Sequence, residues 1–362
     1  MNKNVKIIAP IFIFLVILYA IIASRPLSQE IQFIPVWTID LESYIKSENE
    51  APLPEDFNEA VSFKLGQTLG YFTKDGKILS YITFPYKATI SDEFYALYGT
   101  SSEEIQIQSP SGTEIGKIQV TGFPYFSKDR KFIFLPGGSS FSKLNEDGSV
   151  AWTYEGFTPL TAFSSSKTGI VAGFSDGKVI GFDNDGNITQ EYNPGGSNYE
   201  VILGADISDS SKYIATLSGQ GGQRFVISKK TDASYGAHTS IVFYKSMANE
   251  LNRQVLIKFS RDEKKVFYNN ANGIGIVNCR NFRNTELPIK GKILSILESG
   301  SGNEIFVLSK EGKTYTVSTI ESFDAFSGSF SFEAESACIA VKDNSLFVGR
   351  DGKISRIDII HK

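Results

Sequence analysis

The chain has 362 residues, with 36 Lys+Arg against 40 Asp+Glu, a formal balance of −4. That length can bury one large core or two ordinary ones, and the lack of a basic excess argues against a nucleic-acid partner. Phe (28), Tyr (16) and Gly (32) are abundant, which favours strands and tight turns, while two His and two Cys leave too few ligands for a His/Cys metal site.

At the N-terminus, Lys3 and Lys6 precede an uncharged run over residues 7–23 (IIAPIFIFLVILYAIIA), closed by Ser24 and Arg25. At ~1.5 Å rise per residue, such a run can just cross a hydrocarbon core of roughly 30 Å. The expected organisation is a cytoplasmic stub (1–6), a transmembrane signal anchor (7–24), a linker (25–59) and an exported body (60–362). Positive charge on the short leading side orients it this way. A cleaved signal peptide is the competing reading, with Ala23 as the small residue at the cleavage point. No Cys follows the run, so lipoprotein processing is excluded. The expected address is the cytoplasmic (inner) membrane, single-pass, with the globular part extracytoplasmic or periplasmic. The linker contains SENEAPLPEDFNE (47–59), a mixture of acid, Pro and polar residues.

Beyond residue 60 one phrase returns: FSKDRKFIF from Phe126, FSSSKTGIV from Phe163, ISDSSKYIA from Ile207 and FSRDEKKVF from Phe259. Shorter or degenerate forms start at Ile90, Glu298 and Ile339, so successive starts are 36, 37, 44, 52, 39 and 41 residues apart. In each, an apolar residue ends a strand, a polar Ser/Asp/Lys turn follows, and an alternating strand resumes. Asp129, Lys131, Asp262 and Lys264 are read as turn builders rather than as an ion site. A second hairpin recurs as IQSPSGTEI (107–115), LNEDGSVAW (144–152) and FDNDGNITQ (182–190), each turning on a glycine. Two hairpins per ~40 residues make a four-stranded propeller blade. The expected fold class is all-β: a β-propeller of about eight, alternatively seven, four-stranded blades. The unit FKLGQTLGYFTKDGKILSYITF (63–84) is short by one strand, its TKDGKI set against FSDGKV (174–179). The last repeat has three strands, and Val36–Leu41, similar to Val150–Glu155, is placed to complete it and close the ring.

The turn phrase resembles the F-S-x-D-G-K element of WD40-like and TolB-like propellers, and Asn145–Trp152 resembles the repeat of quinoprotein-like (PQQ-like) propellers. The resemblance covers roughly residues 60–362 and implies a fold more than an activity. It also suggests a role in envelope assembly, as for quinoprotein-like lipoproteins in outer-membrane protein insertion.

His238 and His361 are too few for a recognisable catalytic triad. Cys279 and Cys338 fall on non-adjacent units and are expected as free, buried thiols. The two longest gaps locate enlargements at 193–199 and 218–239, expected as loops projecting side by side from adjacent blades. They define a candidate binding face of Tyr199, Gln220, Gln223, Arg224, Tyr235 and His238, with GQGG (219–222) read as flexible loop. No nucleotide or catalytic signature is found, and no cofactor or metal is expected. The leading functional reading is therefore a protein-binding scaffold of the cell envelope, tethered to the membrane through residues 7–24 and without a nucleic-acid partner. The alternative is an extracytoplasmic enzyme on a propeller, either a quinoprotein-like oxidoreductase or a carboxylate-dependent hydrolase.

Overall fold

The computed structural model describes residues 12–19, 31–41, 43, 59–100, 102–233, 236–321 and 325–361. Beyond the helical residues 12–19 and single helical positions at 41 and 43, the regular structure is strand. No helix among the described residues is long and apolar enough to cross a membrane. The rest of the expected anchor lies outside the described residues.

Eight small antiparallel sheets make the body, and they follow the chain as blades 1 to 8. Blades 2 to 7 each use four consecutive strands, spanning 87–118, 123–154, 160–192, 199–246, 257–288 and 292–333. The recurring phrase forms the turn between the first and second strand of a blade, as Phe123–Ser127 pairs with Arg130–Phe134. The Gly-centred phrase turns the third strand into the fourth, as in Val179–Asp183 with Ile188–Tyr192. Both signals therefore mark the hairpins they were expected to mark.

Blade 8 is finished by the other end of the chain. Its sheet order is Ile31–Asp40, Lys353–His361, Ser345–Arg350, Ala337–Lys342, and the first pair runs from Ile31↔His361 to Asp40↔Lys353 with one register shift between Pro35 and Trp37. The closing strand is longer than the expected Val36–Leu41. It anchors through Trp37, whose ring lies 6.2 Å from that of Phe72 in blade 1 and 5.9 Å from that of Phe347 in blade 8. Pairing the ends leaves no full-length strand edge open at the seam.

Blade 1 has three strands among the described residues: Val61–Leu65, Thr68–Phe72 and Ile78–Thr83. Its turn at 73–77 lies beside the first turn of blade 8, where Lys74 Nζ is 3.0 Å from Asp343 Oδ2. Trp37 Nε1 donates to Lys74 O at 3.1 Å, as Trp152 Nε1 does to Asn184 O on the third turn of blade 4. TKDGKI thus corresponds to FDNDGN and not to FSDGKV, which is a turn between second and third strands. The strand without a counterpart is the innermost. Its vacant edge is capped by side chains, since Ser62 N–H donates to Asp92 Oδ1 at 2.9 Å and Lys64 N–H to the Cys338 thiol.

The core sits between blades. Between blades 3 and 4, Phe132, Phe141, Phe174 and Phe182 are buried together with Ile170. Trp152 stacks on Phe182 and covers Gly186, where φ is +88° and an added Cβ would come within 2.7 Å of the indole. Only glycine allows that approach. Cys279 and Cys338 are both free, and burial pushes their thiols up to about 12 and about 11.

Candidate functional site

A ring of blades has two faces. First–second and third–fourth turns emerge on one, called the turn face here. Second–third turns and blade-to-blade connections emerge on the other, the junction face. The strand directions assign both enlargements' near ends to the junction face, as expected. There, connections bond to the second–third turns through backbone: Leu160 N to Gly138 O, Ser175 N to Pro159 O and Asn198 N to Gly221 O, at 2.8, 2.9 and 3.0 Å.

The residues expected to form one patch separate into three groups. Tyr199 and Gln220 are paired across the strands Tyr199–Ile207 and Tyr213–Gln220, and Tyr199 is 72% exposed. Gln223 and Arg224 are structural. Gln223 is fully buried; its Nε2 donates to Gly219 O and Leu251 O, and its Oε1 accepts from Leu251 N. The Arg224 guanidinium donates to Pro194 O at 3.3 Å, rests on the Tyr244 ring at 5.5 Å and packs over Gly196. His238 lies elsewhere. The segment 218–239 is mostly strand, with Arg224–Ala233 pairing against Gly236–Ser246, and Thr231↔His238 stands near the opposite end of that ladder from Arg224. At about 3.3 Å per residue, the length of that strand separates the two positions, which stand toward opposite faces of the ring. Tyr235 falls outside the described residues; its flanking pair Ala233↔Gly236 closes that far end.

GQGG is also more ordered than its composition implies. The backbone N–H groups of Gly221, Gly222 and Gln223 converge on the Glu250 carboxylate at 2.9, 2.6 and 3.2 Å. Successive amides in this geometry make an anion cradle, here filled by the protein's own side chain. Those three bonds hold the Glu250 carboxyl below its ordinary value.

The sequence reading missed what surrounds the patch. Five consecutive junctions place an exposed apolar side chain on this face: Tyr86, Phe123, Phe157, Tyr199 and Leu256. Phe157 is entirely exposed. Each lies in or beside a connection between blades, but exposure of an apolar side chain there cannot be read from strand patterning. Within this arc opens one mouth of the central channel, a cavity of about 450 Å³ whose walls include Tyr125, Thr161, Leu203 and Leu294. The connection from blade 5 to blade 6 reaches across it, with Gln254 Nε2 donating to Thr161 O of blade 4 at 2.9 Å.

The turn face is organised by carboxylates and a carboxamide. Lys167 N–H donates to Asp209 Oδ1 at 3.1 Å, Arg261 N–H to Glu298 Oε2 at 2.8 Å, and Ser301 N–H to Asn344 Oδ1 at 3.0 Å, each binding one blade's turn to the next. Asp262 accepts from Ser260 Oγ and Lys264 N within its own turn, which fits the turn-building role. Lys131 does not fit it: it lies in a strand and is 5% exposed, with its ammonium 3.9 Å from the Phe94 ring centre. The second channel mouth, about 320 Å³, contains Asp206, Lys258, Arg261 and Glu298. Asp206 is buried and ties three blades together, accepting from Ser164 Oγ at 2.5 Å and Phe259 N at 2.8 Å. Burial raises the Glu298 carboxyl above its usual value. Both carboxylates are engaged in holding neighbouring blades. No group of three His, Cys, Asp or Glu residues among those described could hold a metal ion.

Solved structures with this architecture are numerous. BamB from Moraxella catarrhalis is 13% identical, covers 90% of this chain and 100% of its own, and superposes with a TM-score of 0.60. The computationally designed Ika8 protein gives 12% identity, 84% and 94% coverage and a TM-score of 0.59. The WD40 domain of Toxoplasma gondii coronin gives 11%, 93% and 88%, and 0.55. At these identities the likeness is one of fold. In sequence, an uncharacterized protein of Treponema pallidum (strain Nichols) is 27% identical over 347 residues, spanning 95% of this chain and 91% of that protein. A family model described as beta-propeller protein matches residues 1–362, and the chain belongs to that family.

Proposed function

We propose that this propeller is a protein-binding scaffold, held at the cytoplasmic membrane by residues 7–24 with its ring on the extracytoplasmic side, and that it serves cell-envelope organisation. The observation that carries the reading is the arc of exposed apolar side chains at five successive junctions, bordering a channel mouth. Exposed apolar side chains gathered on one face of a protein are a feature of interaction sites, and a rigid ring presenting loops suits that use. The leading charges and the uncharged run at the N-terminus support the address.

Capture from solubilised membranes tests it. A Phe157→Ala/Tyr199→Ala variant should retain a partner at least tenfold less well than wild type, about 1.4 kcal/mol, while Asp185→Asn on the turn face captures normally. Equal capture by all three would sink the proposal. Arg224 is unsuitable as a probe, because its guanidinium supports loop 193–198. A reporter fused after Lys362 that works only when exported should be active; activity of a cytoplasm-dependent reporter would overturn the address.

A further inference from the structure

Blade 7 fills its two seams differently. Toward blade 8, Tyr315 stacks on Phe332, and Phe330 meets Phe33 edge-on at 5.1 Å between ring centres. Toward blade 6 the inner half is packed, with Ile305, Val307 and Ile320 buried against Ile274 and Ile276. The outer half of that seam is open, a groove of about 500 Å³.

Strand alternation explains the difference, because successive side chains of a strand face opposite sides. Tyr315, Val317, Phe330 and Phe332 look toward blade 8, so Thr316, Ser318, Ser329 and Ser331 look toward blade 6. The register sets Ser309 opposite Thr316, Thr316 opposite Ser331 and Ser318 opposite Ser329. Five hydroxyls therefore share one sheet face, and all but Ser331 line the groove. The connection Pro288–Lys290 forms the facing wall, and Phe326, 39% exposed, also borders it.

A second observation shows that the groove needs contents. Ser309 and Ser318 are 2% and 6% exposed, and neither hydroxyl has a hydrogen-bond partner among the described residues. Thr316 and Ser327 are engaged, with Ser331 Oγ at 2.8 Å and with Thr319 O at 3.2 Å. A buried hydroxyl left unmet costs about 1–3 kcal/mol. Since Ser309 and Ser318 border the groove, their partners must come from inside it.

The wall selects the chemistry. Lys290 is its single charged residue, which suits neither a metal ion nor a multiply charged anion. A serine hydroxyl both donates and accepts. Placed about 4.8 Å apart across strands and about 6.6 Å apart along them, such groups match a ligand that carries many hydroxyls of the same dual character on an apolar frame. An extended peptide would instead seek an unpaired strand edge.

We propose that this groove binds a saccharide, with ligand hydroxyls bonding Ser309, Ser318 and Ser329 and a C–H face of a sugar ring resting against Phe326. The groove shares no residue with the apolar arc and does not depend on the scaffold reading.

Saturation-transfer NMR of the full-length chain in a sugar-free zwitterionic detergent tests it, with maltotriose, cellotriose and tri-N-acetylchitotriose as probes. At least one should bind saturably. Ser309→Ala/Ser318→Ala should weaken that binding at least tenfold without lowering the melting temperature, since neither hydroxyl bonds the protein. Ser329→Phe, which fills the groove from its rim, should abolish it. Ser149→Ala, in a turn of blade 3, should bind as wild type, and an acetyl-Ser-Gly-Ser-amide peptide should not compete. Absence of saturable binding for all three sugars, undiminished binding by the double variant, an equal loss in Ser149→Ala, or displacement of the sugar by the peptide would each overturn the proposal.

Discussion

The two faces of the ring are made from the same hairpins yet fasten their blades by different groups. On the turn face side-chain acceptors recur: Asp209, Glu298 and Asn344 each receive an N–H from the preceding blade, beside main-chain bonds such as Lys117 N to Asp147 O. On the junction face main-chain bonds recur, as in Asn198 N to Gly221 O and Ser175 N to Pro159 O, with Arg224 and Gln254 adding side-chain bonds to main-chain carbonyls. The difference arises from chain geometry. A connection between blades passes directly over a second–third turn, so the two backbones meet, whereas successive first turns are joined chiefly by a side chain of the following blade. Some junction-face side chains, Gln223, Arg224 and Gln254 among them, hold connections in place, while Phe157 and Tyr199 stand in solvent. That freedom is what makes the junction face available to a partner.

Both kinds of fastening presuppose a closed ring, so opening it should have the largest effect. A chain lacking residues 1–41 loses the strand paired with Lys353–His361 and the Trp37 contacts. The half-buried Trp37 and a whole strand ladder are lost together, and thermal unfolding followed by circular dichroism should lose its cooperative transition. Retention of a wild-type transition would mean that the ring closes without this strand.

Next comes the side-chain fastening. Asp206→Ala removes the acceptor shared by Ser164 and the buried Phe259 N–H, and urea denaturation should show a loss of about 3 kcal/mol. A loss comparable to that of an exposed substitution would break the contrast between the faces.

Acid should act on both faces through different carboxylates. At Asp262 burial works to raise the pKa, but hydrogen bonds from Lys264 and Ser260 outweigh it and bring the group down to about 2. A depressed folded-state pKa means that its contribution is complete above about 4 and is lost as pH falls toward 2. The Glu250 carboxyl is depressed likewise by the Gly222, Gly221 and Gln223 amides. Glu250→Gln and Asp262→Asn should each flatten the fall of stability below pH 4.5, measured as melting temperature against pH. An unchanged slope in either would show that carboxylate to be idle.

The smallest effect belongs to the released side chains. Phe157→Ala and Tyr199→Ala should change stability by no more than about 0.5 kcal/mol in urea. A larger loss would mean that these rings are structural and that the junction face is not free.

How much of this was legible beforehand depends on the distance over which a signal acts. Each Ser/Asp/Lys turn and each Asx-Gly turn is a local conformational preference within a few residues, so the hairpins at 126–134 and 182–190 could be placed correctly. The length of the strand Arg224–Ala233 could not be read in the same way. GQGG and the Gly236 region look like loop by composition, yet the residues between them pair along a whole ladder. That pairing carries His238 away from Arg224, which the spacing in sequence had set side by side. Gln223 looked like a surface amide and is fully buried, because its amide donates to Gly219 O and Leu251 O and accepts from Leu251 N, on a connection that folds back over it.

The sequence by itself determined the all-β repeat, the blade number within one, the shortness of the first unit and the partner strand that closes the last. These follow from period-two patterning and turn chemistry, which act within a hairpin. Only the tertiary structure decided which face each residue occupies, that the strand without a counterpart among the described residues of blade 1 is the inner one, that Glu250 fills the GQGG cradle, and that Arg130, Lys143 and Lys167 share one seam. Those outcomes depend on strands and turns separated by tens of residues being brought within a few ångströms by ring closure. No local preference encodes such distances.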